Sequence, residues 1–242
     1  MPQLPGAPRF LLNLLRRHGD VYREDGLSAA NELLVTICHA GTHIDAIGHI
    51  SVDGVLHGGI LAQDAQIGTA GLQHLDIDSV APIVRRGVLL DVAGMLGVPA
   101  LAPAQGIDAA MLADAANRAQ VTIEPGDAVL VRTGWGAFWD EPDRYVSLTE
   151  GLPGPNLNGA RWLVERGITL TGADCLMYEA FHLARNALPV HAFLLQQHGV
   201  YLVENMLLET LAQANVTEFL LIILPLRLAG ATGSPIRPIA LA

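Results

Sequence analysis

The segment HAGTHIDAIGH, residues 39–49, constrains the fold of this chain more than any other part of its sequence. With 9 histidines in 242 residues, composition alone predicts about 0.4 histidine in a window of this length, and the window holds three. Its metal-ligating residue types all occupy odd positions, which an extended chain presents on one face. They are His39, His43, Asp45 and His49. A straight strand would spread them over about 33 Å, so we expect Gly41 and Gly48 to supply bends that bring them together.

The residue types in this segment are those that bind divalent metal ions. Imidazole nitrogens and a carboxylate oxygen are preferred by Zn²⁺ and accepted by Mn²⁺ and Fe²⁺. The alternative interpretation is a set of hydrogen-bonded polar side chains at the end of a buried strand. Burying three imidazoles and a carboxylate together without a cation would be costly, however. The sequence therefore predicts a divalent metal site.

The rest of the chain mixes strand-like and helix-like segments. Apolar runs predict strands over residues 33–38, 88–92, 128–132, 168–170, 200–203 and 219–224. Helical spacing and end signals predict helices over residues 8–18, 108–119 and 158–166, with Asp108 as the cap of the second. Because these elements do not follow a strict βαβ alternation, we expect an α+β fold with a mixed sheet. The length fits one domain over residues 1–242, with residues 1–30 as an N-terminal helical arm.

Composition argues against several classes of function. The formal net charge of −10 disfavours a nucleic-acid surface, which needs clustered lysine and arginine. The most apolar stretch, residues 219–226, is far shorter than the roughly 20 residues of a membrane-spanning helix. The pair Arg16-Arg17 follows the apolar residues near the N-terminus, the reverse of a signal peptide. We expect a cytoplasmic protein that binds neither nucleic acid nor membrane.

The histidine-rich segment resembles the H-x-G-T-H-x-D-x-x-x-H signature of the metal-dependent cyclase family, which includes kynurenine formamidases, isatin hydrolases and trans-dienelactone hydrolases. Less specific similarities extend the resemblance from residue 33 to the end of the chain. They are the strand and turn at residues 126–134, Gly-Ala-Asp at 172–174, Pro-Val-His at 189–191, and residues 199–205 and 224–238. The resemblance implies a swivelling β/β/α-type domain and a homodimer or higher homo-oligomer.

The same resemblance implies roles for individual residues. The family's first metal ligands are matched by His39, His43 and Asp45. Asp45 also matches the carboxylate that bridges two ions in the binuclear members. His191 and Glu204 match the ligands of a second ion, and His198 is an alternative to His191 as that ligand. One or two Zn²⁺ or Mn²⁺ ions are therefore expected per chain. His49 matches a histidine that acts as general acid and base rather than mainly as a ligand.

The sequence departs from the family pattern around this site. Residues 45–48, Asp-Ala-Ile-Gly, stand where the formamidases have Asp-Ala-Pro, and Ile50 stands where an aromatic residue is common. Residues 174–179 replace an Asp-x-x-Ser-x-Asp/Glu pattern, and residues 53–59 are closer to the isatin-hydrolase branch. These departures leave the metal ligands intact and leave the substrate open.

Four further residues are candidates for contact with a small-molecule substrate: His57, Trp135, Tyr178 and His182. They lie in a glycine-rich loop after the histidine segment, in an aromatic cluster, and in a segment of mixed polar and aromatic residues. Each has a plainer interpretation as a turn residue or as part of the core. Cys38 and Cys175 are expected to be small buried side chains rather than nucleophiles.

Together these features predict a hydrolase that uses a metal-activated water to cleave an amide of a small aromatic or cyclic substrate, as arylformamidases and isatin hydrolases do. His49 would pass a proton to the leaving group, a task that suits an imidazole. A lactone hydrolase of the dienelactone type would use the same residues. Two alternatives from other classes are a non-catalytic metal-binding homologue and an iron-dependent oxygenase built on two histidines and one carboxylate.

Overall fold

Twelve β-strands form the framework of the part of the chain that the computed structural model describes, residues 2, 5–66 and 68–242. In chain order they are β1 (Leu11–Arg16), β2 (Asn31–Val35), β3 (His43–Asp45), β4 (Ile83–Asp91), β5 (Gly106–Ile107), β6 (Ala128–Arg132), β7 (Gly154–Pro155), β8 (Leu170–Ala173), β9 (Tyr201–Glu204), β10 (Glu218–Ile223), β11 (Gly233–Pro235) and β12 (Ile239–Leu241).

Eight of these strands form one mixed sheet in the order β11-β3-β9-β8-β6-β4-β10-β12. The central strands β9, β8, β6 and β4 are parallel to one another. β3 and β11 join one edge, and β10 and β12 join the other, all in antiparallel pairings. The remaining strands pair two by two, β5 with β7 and β1 with β2. The predicted α+β fold with a mixed sheet is confirmed.

Side chains alternate along the central strands and fill a core on each face of the sheet. In β4, Val88 and Leu90 pack into one apolar cluster and Leu89 into the other. In β6, Val129 and Leu130 are divided between the same two clusters. Parallel strands that are buried on both faces have continuously apolar sequences, and for this reason these strands can be recognised in the sequence.

The helices are short. They are α1 (Ala62–Ala65), α2 (Val92–Leu96), α3 (Ala109–Ala119), α4 (Pro142–Tyr145), α5 (Leu157–Glu165), α6 (Pro189–His191) and α7 (Glu209–Gln213). A π-helical turn, Ala192–Gln197, continues directly from α6. Asp108 caps α3 as predicted, because its carboxylate accepts a hydrogen bond from the Met111 N–H at 3.0 Å. No helix in the described part of the chain has the length and apolar character needed to cross a membrane.

Asp174 ties the end of β8 to the turn that follows β6. Its fully buried carboxylate accepts hydrogen bonds from the Thr133 N–H at 2.8 Å, the Thr133 hydroxyl at 2.7 Å and the Gly134 N–H at 2.8 Å. Burial raises the pKa of Asp174 to about 6, although these donors oppose the rise. Residues 126–134 and 172–174, which stand apart in the sequence, therefore form one structural unit.

The N-terminal segment differs from its prediction. Residues 11–16 form the strand β1, paired with β2 in antiparallel register, and not the helix predicted over residues 8–18. Apolar residues at positions 11, 12, 14 and 15 fit helical and extended spacing equally well, and pairing with the apolar residues of β2 selects the strand. Residues 1, 3 and 4 of the predicted helical arm lie outside the described residues. The strands β1 and β2 and the connecting residues 17–30 together form the N-terminal arm.

Candidate metal centre

β3 and β9 bring three of the predicted ligands together. His43 and Asp45 are two residues apart on β3, so their side chains point to the same face. Glu204 on β9 lies directly opposite His43 in the antiparallel register, and His43 Nε2 lies 3.3 Å from Glu204 Oε2. All three side chains are buried. Strand pairing alone therefore places an imidazole and two carboxylates side by side.

His39 and His191 join this cluster from outside the sheet. His39, in the loop between β2 and β3, has its Nδ1 2.8 Å from Asp45 Oδ1. His191 ends α6, and its Nε2 lies 3.1 Å from Glu204 Oε1. Two groups result, each with ligand atoms within 4.8 Å of one another: His39, His43 and Asp45; and Asp45, His191 and Glu204. Asp45 belongs to both groups.

Hydrogen bonds fix which ring nitrogen of two histidines faces the cluster. His43 Nδ1 donates to the Gly41 carbonyl at 2.9 Å, which leaves Nε2 toward Glu204. His191 Nδ1 donates to Glu179 Oε1 at 2.7 Å, which likewise leaves its Nε2 toward Glu204. With Nδ1 engaged in this way, Nε2 is the nitrogen left to bind a metal ion once its proton is lost.

The buried charges of the cluster shift the pKa values of its members. Burial alone lowers the pKa of His43 and of His191, but their carboxylate partners outweigh it and raise these pKa values to about 9 and about 10. Burial acts in the opposite sense on Asp45 and Glu204, yet hydrogen bonds from the histidines hold the pKa of both carboxyls below the ordinary value. The two carboxylates thus need positive charge beside them, and a divalent cation can replace the imidazole protons that supply it.

One atom of the cluster is left without a partner. Asp45 Oδ2 is buried and makes no hydrogen bond, whereas Oδ1 is bound to His39. An unpartnered buried carboxylate oxygen is costly, and coordination to a cation would satisfy it. Because imidazole nitrogens and carboxylate oxygens are the ligands of Zn²⁺ and related ions, the residues present fit a divalent cation.

His49 lies beside the cluster and belongs to neither ligand group. It ends a 3-10 turn formed by Ile47–His49, and its ring centroid lies 4.3 Å from that of His39. Burial lowers the pKa of His49, and the charge of Asp45 opposes this shift. A histidine next to the ligands but not among them is in a position to exchange protons with a bound molecule.

A cavity of about 300 Å³ opens onto the cluster. Its polar lining includes His39, His43, His49, His191 and Glu204. Its apolar lining includes Pro2, Ile37, Leu176, Met177 and Leu188. No lysine or arginine is among the described residues that line it. The cavity can therefore hold a small, mainly apolar molecule that presents a polar group to the histidines.

Two of the four predicted substrate contacts, His57 and His182, lie away from this cavity. His57 Nδ1 donates to the Gln196 carbonyl at 2.9 Å, and its ring packs against Gly199 so closely that a Cβ there would lie 2.9 Å from Nε2. His182 lines a separate cavity of about 560 Å³, and its Nδ1 accepts a hydrogen bond from the Ala184 N–H at 3.1 Å. His57 therefore supports the turn after α6, and His182 belongs to another surface.

The other two, Trp135 and Tyr178, are core residues. Trp135 Nε1 donates to the Tyr145 carbonyl at 3.0 Å, and the Tyr178 hydroxyl lies 2.8 Å from Thr171 Oγ1. Neither side chain lines the cavity that opens onto the ligand cluster. Tyr178 still contributes to the site through its backbone, because its N–H donates to Glu204 Oε1 at 2.7 Å. The side chains of Trp135 and Tyr178 thus pack in the core and do not line this cavity.

His198 and the two cysteines also have defined positions. His198 is exposed, with its ring centroid 4.4 Å from that of Phe193, and it belongs to neither ligand group. Cys175 is buried and its thiol donates to the Pro153 carbonyl at 3.1 Å. Burial raises the pKa of the Cys175 thiol, which is the opposite of activation. Cys38 is half-buried.

Two residues that hold the ligands were missed by sequence reasoning, Glu179 and Thr232. Glu179 is buried and accepts hydrogen bonds from the backbone N–H of Val190 and from the backbone and ring of His191. The Thr232 hydroxyl lies 3.0 Å from His39 Nε2. One sequence feature could have identified Glu179, because it ends the segment 174–179, where the family pattern also has an acidic residue. No sequence feature could have identified Thr232.

A sequence model of the family described as "Putative cyclase" matches residues 6–180 of the chain. The match includes the first ligand group and His49, and it ends before His191 and Glu204. Cyclase-like protein 3 of Oryza sativa subsp. japonica is 30% identical over 227 residues, covering 88% of this chain and 66% of the rice protein. The chain thus spans about two thirds of the length of that relative.

Kynurenine formamidase of Bacillus cereus is 27% identical over 216 residues, covering 89% of this chain and 81% of that protein. Among solved structures, the crystal structure of a novel cyclase superposes with a TM-score of 0.90 and 27% identity over 100% of this chain and 84% of that chain. An isatin hydrolase bound to the product analogue thioisatinate superposes with a TM-score of 0.71 and 21% identity over 99% of this chain and 86% of that chain. This last similarity establishes a common fold.

Proposed function

The chain belongs to the cyclase family, and from this membership and its ligand cluster we propose that it is a metal-dependent hydrolase that cleaves an amide of a small substrate. The observation that carries the proposal is the position of Asp45 and the lack of a partner for one of its oxygens. Its carboxylate belongs to both candidate ligand groups, and its Oδ2 is buried without a hydrogen-bond partner. A buried carboxylate in this position is suited to a cation or to a bridge between two cations.

Five side chains would hold one or two divalent cations: His39, His43, Asp45, His191 and Glu204. A cation bound there would supply Lewis-acid chemistry, which lowers the pKa of bound water toward neutrality and stabilises negative charge on a carbonyl oxygen. The protein contributes by fixing its ligands. Gly41 and Glu179 orient two of the rings, and the Tyr178 N–H holds Glu204.

His49 is the residue that we assign to proton transfer. Its side chain lines the cavity together with the ligands, and an imidazole exchanges protons near neutral pH. A ring nitrogen of His49 would accept a proton from water as the water oxygen bonds to the carbonyl carbon. The same nitrogen would then give a proton to the leaving amine as the C–N bond breaks.

The turn that carries His49 is tightly held. The Gly48 N–H donates to the Leu75 carbonyl at 2.9 Å. A Cβ at position 48 would lie 2.6 Å from Leu72 Cδ1 and 2.8 Å from the Leu75 carbonyl oxygen, so a side chain does not fit there. This close packing supports the assignment, because a proton-transfer group must be held at a fixed distance from its substrate.

The cavity favours a compact, uncharged amide. Its volume of about 300 Å³ is at the lower end of the range for small-molecule sites. Its apolar lining favours an aromatic or cyclic group, and the absence of lysine and arginine from its described lining disfavours a substrate bound through a free carboxylate. Aryl formamides and cyclic amides related to isatin satisfy these conditions. The similarity to a kynurenine formamidase supports the first of these classes.

The proposal is tested by metal analysis and a substrate panel on the chelator-treated and reloaded protein. We expect one or two Zn²⁺ or Mn²⁺ ions per chain, and hydrolysis of isatin or of an uncharged aryl formamide such as formanilide only after reloading. Hydrolysis of a dienelactone alone would reassign the substrate class to lactones. Full activity without metal, oxygen consumption with Fe²⁺, or metal binding without hydrolysis of any panel member would each contradict the proposal.

A further inference from the structure

A second cavity, of about 560 Å³, adjoins the first cavity, which opens onto the ligand cluster. Two short segments of the chain separate them. In one segment, Met177 lines the first cavity and Glu179 lines the second. In the other, Leu188 lines the first cavity and Pro189 lines the second. The two cavities therefore share a wall, and that wall contains the residue that holds the candidate ligand His191.

The polar side chains that line the second cavity have hydrogen-bond donors left over. Asn156 Oδ1 accepts a hydrogen bond from the Gly159 N–H at 3.0 Å, which leaves the NH₂ group of Asn156. His182 Nδ1 accepts a hydrogen bond from the Ala184 N–H, so the neutral ring carries its proton on Nε2. Arg185 adds an exposed guanidinium group, which has donors only. These groups call for a ligand that accepts hydrogen bonds.

Glu179 is the one acidic side chain in the described lining of the second cavity, and its oxygens are already in use. It is buried and accepts hydrogen bonds from three N–H groups of Val190 and His191. Much of the remaining lining is apolar and includes Leu157 and Phe181. The second cavity thus combines an apolar wall with free donors, and its volume is in the range of small-molecule sites.

We propose that the second cavity binds a small apolar carboxylate and that its occupation strengthens cation binding at the ligand cluster. The guanidinium of Arg185 can bind one carboxylate through two parallel hydrogen bonds. The first cavity has no lysine or arginine in its described lining, so the two cavities differ in the charge that they accept.

Two physical effects give the coupling its sign. A carboxylate in the second cavity adds negative charge behind the wall that holds His191, and this charge attracts a divalent cation. A ligand packed against Pro189 also restrains the start of α6, which ends at His191. Because coupling between two binding sites is reciprocal, a bound cation strengthens carboxylate binding by the same factor.

Calorimetric titration of the metal-loaded full chain with benzoate tests the site. Benzoate should bind at least about 10-fold more tightly than benzamide, which lacks the charge, and than acetate, which lacks the ring. Arg185→Gln should weaken benzoate binding by at least about 10-fold. The matched control is Arg161→Gln, at an exposed position on α5 outside the described lining of the cavity, and it should bind benzoate as the wild-type protein does. Both arginines are exposed, so neither variant should disturb folding, and circular dichroism checks this.

A second titration uses protein from which the metal and then the chelator have been removed. It should still bind benzoate, about 5-fold or more weakly, and benzoate should strengthen Zn²⁺ binding by the same factor in the wild-type protein but not in Arg185→Gln. Complete loss of benzoate binding with the metal would place benzoate on the ion and overturn the proposal. Equal binding of benzamide or acetate, an Arg185→Gln variant that binds as the wild type does, or a Zn²⁺ affinity that benzoate does not change would also overturn it. None of these measurements reads hydrolysis, so they fail or succeed independently of the proposed activity.

Discussion

Glu179 binds His191 through the ring and the backbone at once. Its Oε1 accepts hydrogen bonds from the His191 ring Nδ1 at 2.7 Å and from the His191 backbone N–H at 2.8 Å, while Oε2 accepts from the Val190 N–H at 3.1 Å. The position and the ring orientation of a candidate ligand are therefore set by a residue that is in neither ligand group. These hydrogen bonds connect the start of α6 to the cluster of candidate ligands.

Glu179→Gln should weaken metal binding by about 10- to 100-fold. Glutamine keeps the shape of the side chain, but its amide group presents donors where the carboxylate accepts from backbone N–H groups. The measurement is competition between the protein and a chelator of known affinity. Glu165→Gln, at an exposed position at the end of α5, is the matched control and should bind metal as the wild-type protein does. Equal affinities for the two variants would contradict the positioning role of Glu179.

Asp45→Asn should remove metal from both ligand groups, because the two groups share this carboxylate. We expect a loss of hydrolysis of at least about 100-fold, together with a fall in metal content measured by elemental analysis. Asp53→Asn is a suitable control: Asp53 is exposed and has a φ of 50°, which asparagine tolerates. Retention of a full metal complement by Asp45→Asn would show that the carboxylate is not a ligand.

His49→Ala should lower turnover by about 10²- to 10⁴-fold and leave metal content unchanged. The imidazole is assigned to proton transfer and lies outside both ligand groups, so its removal should affect chemistry and not metal retention. Turnover and elemental analysis must be measured on the same preparation. His198→Ala, at an exposed histidine, should match the wild-type protein in both. If His49→Ala lost its metal, His49 would be reassigned as a ligand.

The metal-free protein should lose stability as the pH rises above neutrality. The pKa values of His43 and His191 are raised to about 9 and about 10. A group with a raised pKa in the folded state stabilises that state fully below its unfolded pKa, and this contribution disappears as the pH rises through the folded value. Between pH 6.5 and 10, we expect the Tm in chelator to fall by about 5–10 °C.

The same thermal scans with metal bound should show a smaller fall, because bound ligands are deprotonated throughout this range. His43→Gln measured in chelator should flatten part of the pH dependence, since it removes one of the two titrating imidazoles. A Tm of the metal-free wild-type protein that does not change over the range would disprove the electrostatic account of the cluster.

Asp174→Asn should destabilise the fold by about 1–3 kcal/mol. The carboxylate accepts hydrogen bonds from three donors on Thr133 and Gly134. In asparagine an NH₂ group replaces one of the two accepting oxygens, so that a donor would face a donor. Unfolding by denaturant measures the free energy of unfolding of each variant. Asp114→Asn, at an exposed position on α3, should lie within about 0.5 kcal/mol of the wild-type protein. A comparable effect in the two variants would rule out the specific role of Asp174.

The central strands were predictable because burial on both faces leaves an unbroken apolar signature. Residues 128–132 were predicted as a strand and form β6 with the same bounds. The prediction for residues 200–203 was displaced by one residue from β9, Tyr201–Glu204, and the difference matters because Glu204 is the strand position opposite His43. A sequence pattern marks a strand well but not the polar residue at its end.

The five candidate ligands were also predicted, and the structure brings all of them into one cluster. The residues around that cluster were not, since aromatic side chains such as Trp135 and Tyr178 suit a core as well as a pocket. The strand β1 was missed because its leucines fit two periodicities, and the partner that decides between them, β2, lies across a connection of 14 residues. Pairing across a connection cannot be read from local spacing.

The pairing of β3 with β9 also has a consequence for biosynthesis. A ribosome adding about 5–20 residues per second completes residue 204 some 8–30 s after residue 45. During that interval the nascent chain contains His39, in the loop before β3, and His43 and Asp45 on β3, while the neighbours of β3 in the sheet, β9 and β11, have not been translated. Both ligand groups can therefore be complete only after Glu204 has been translated.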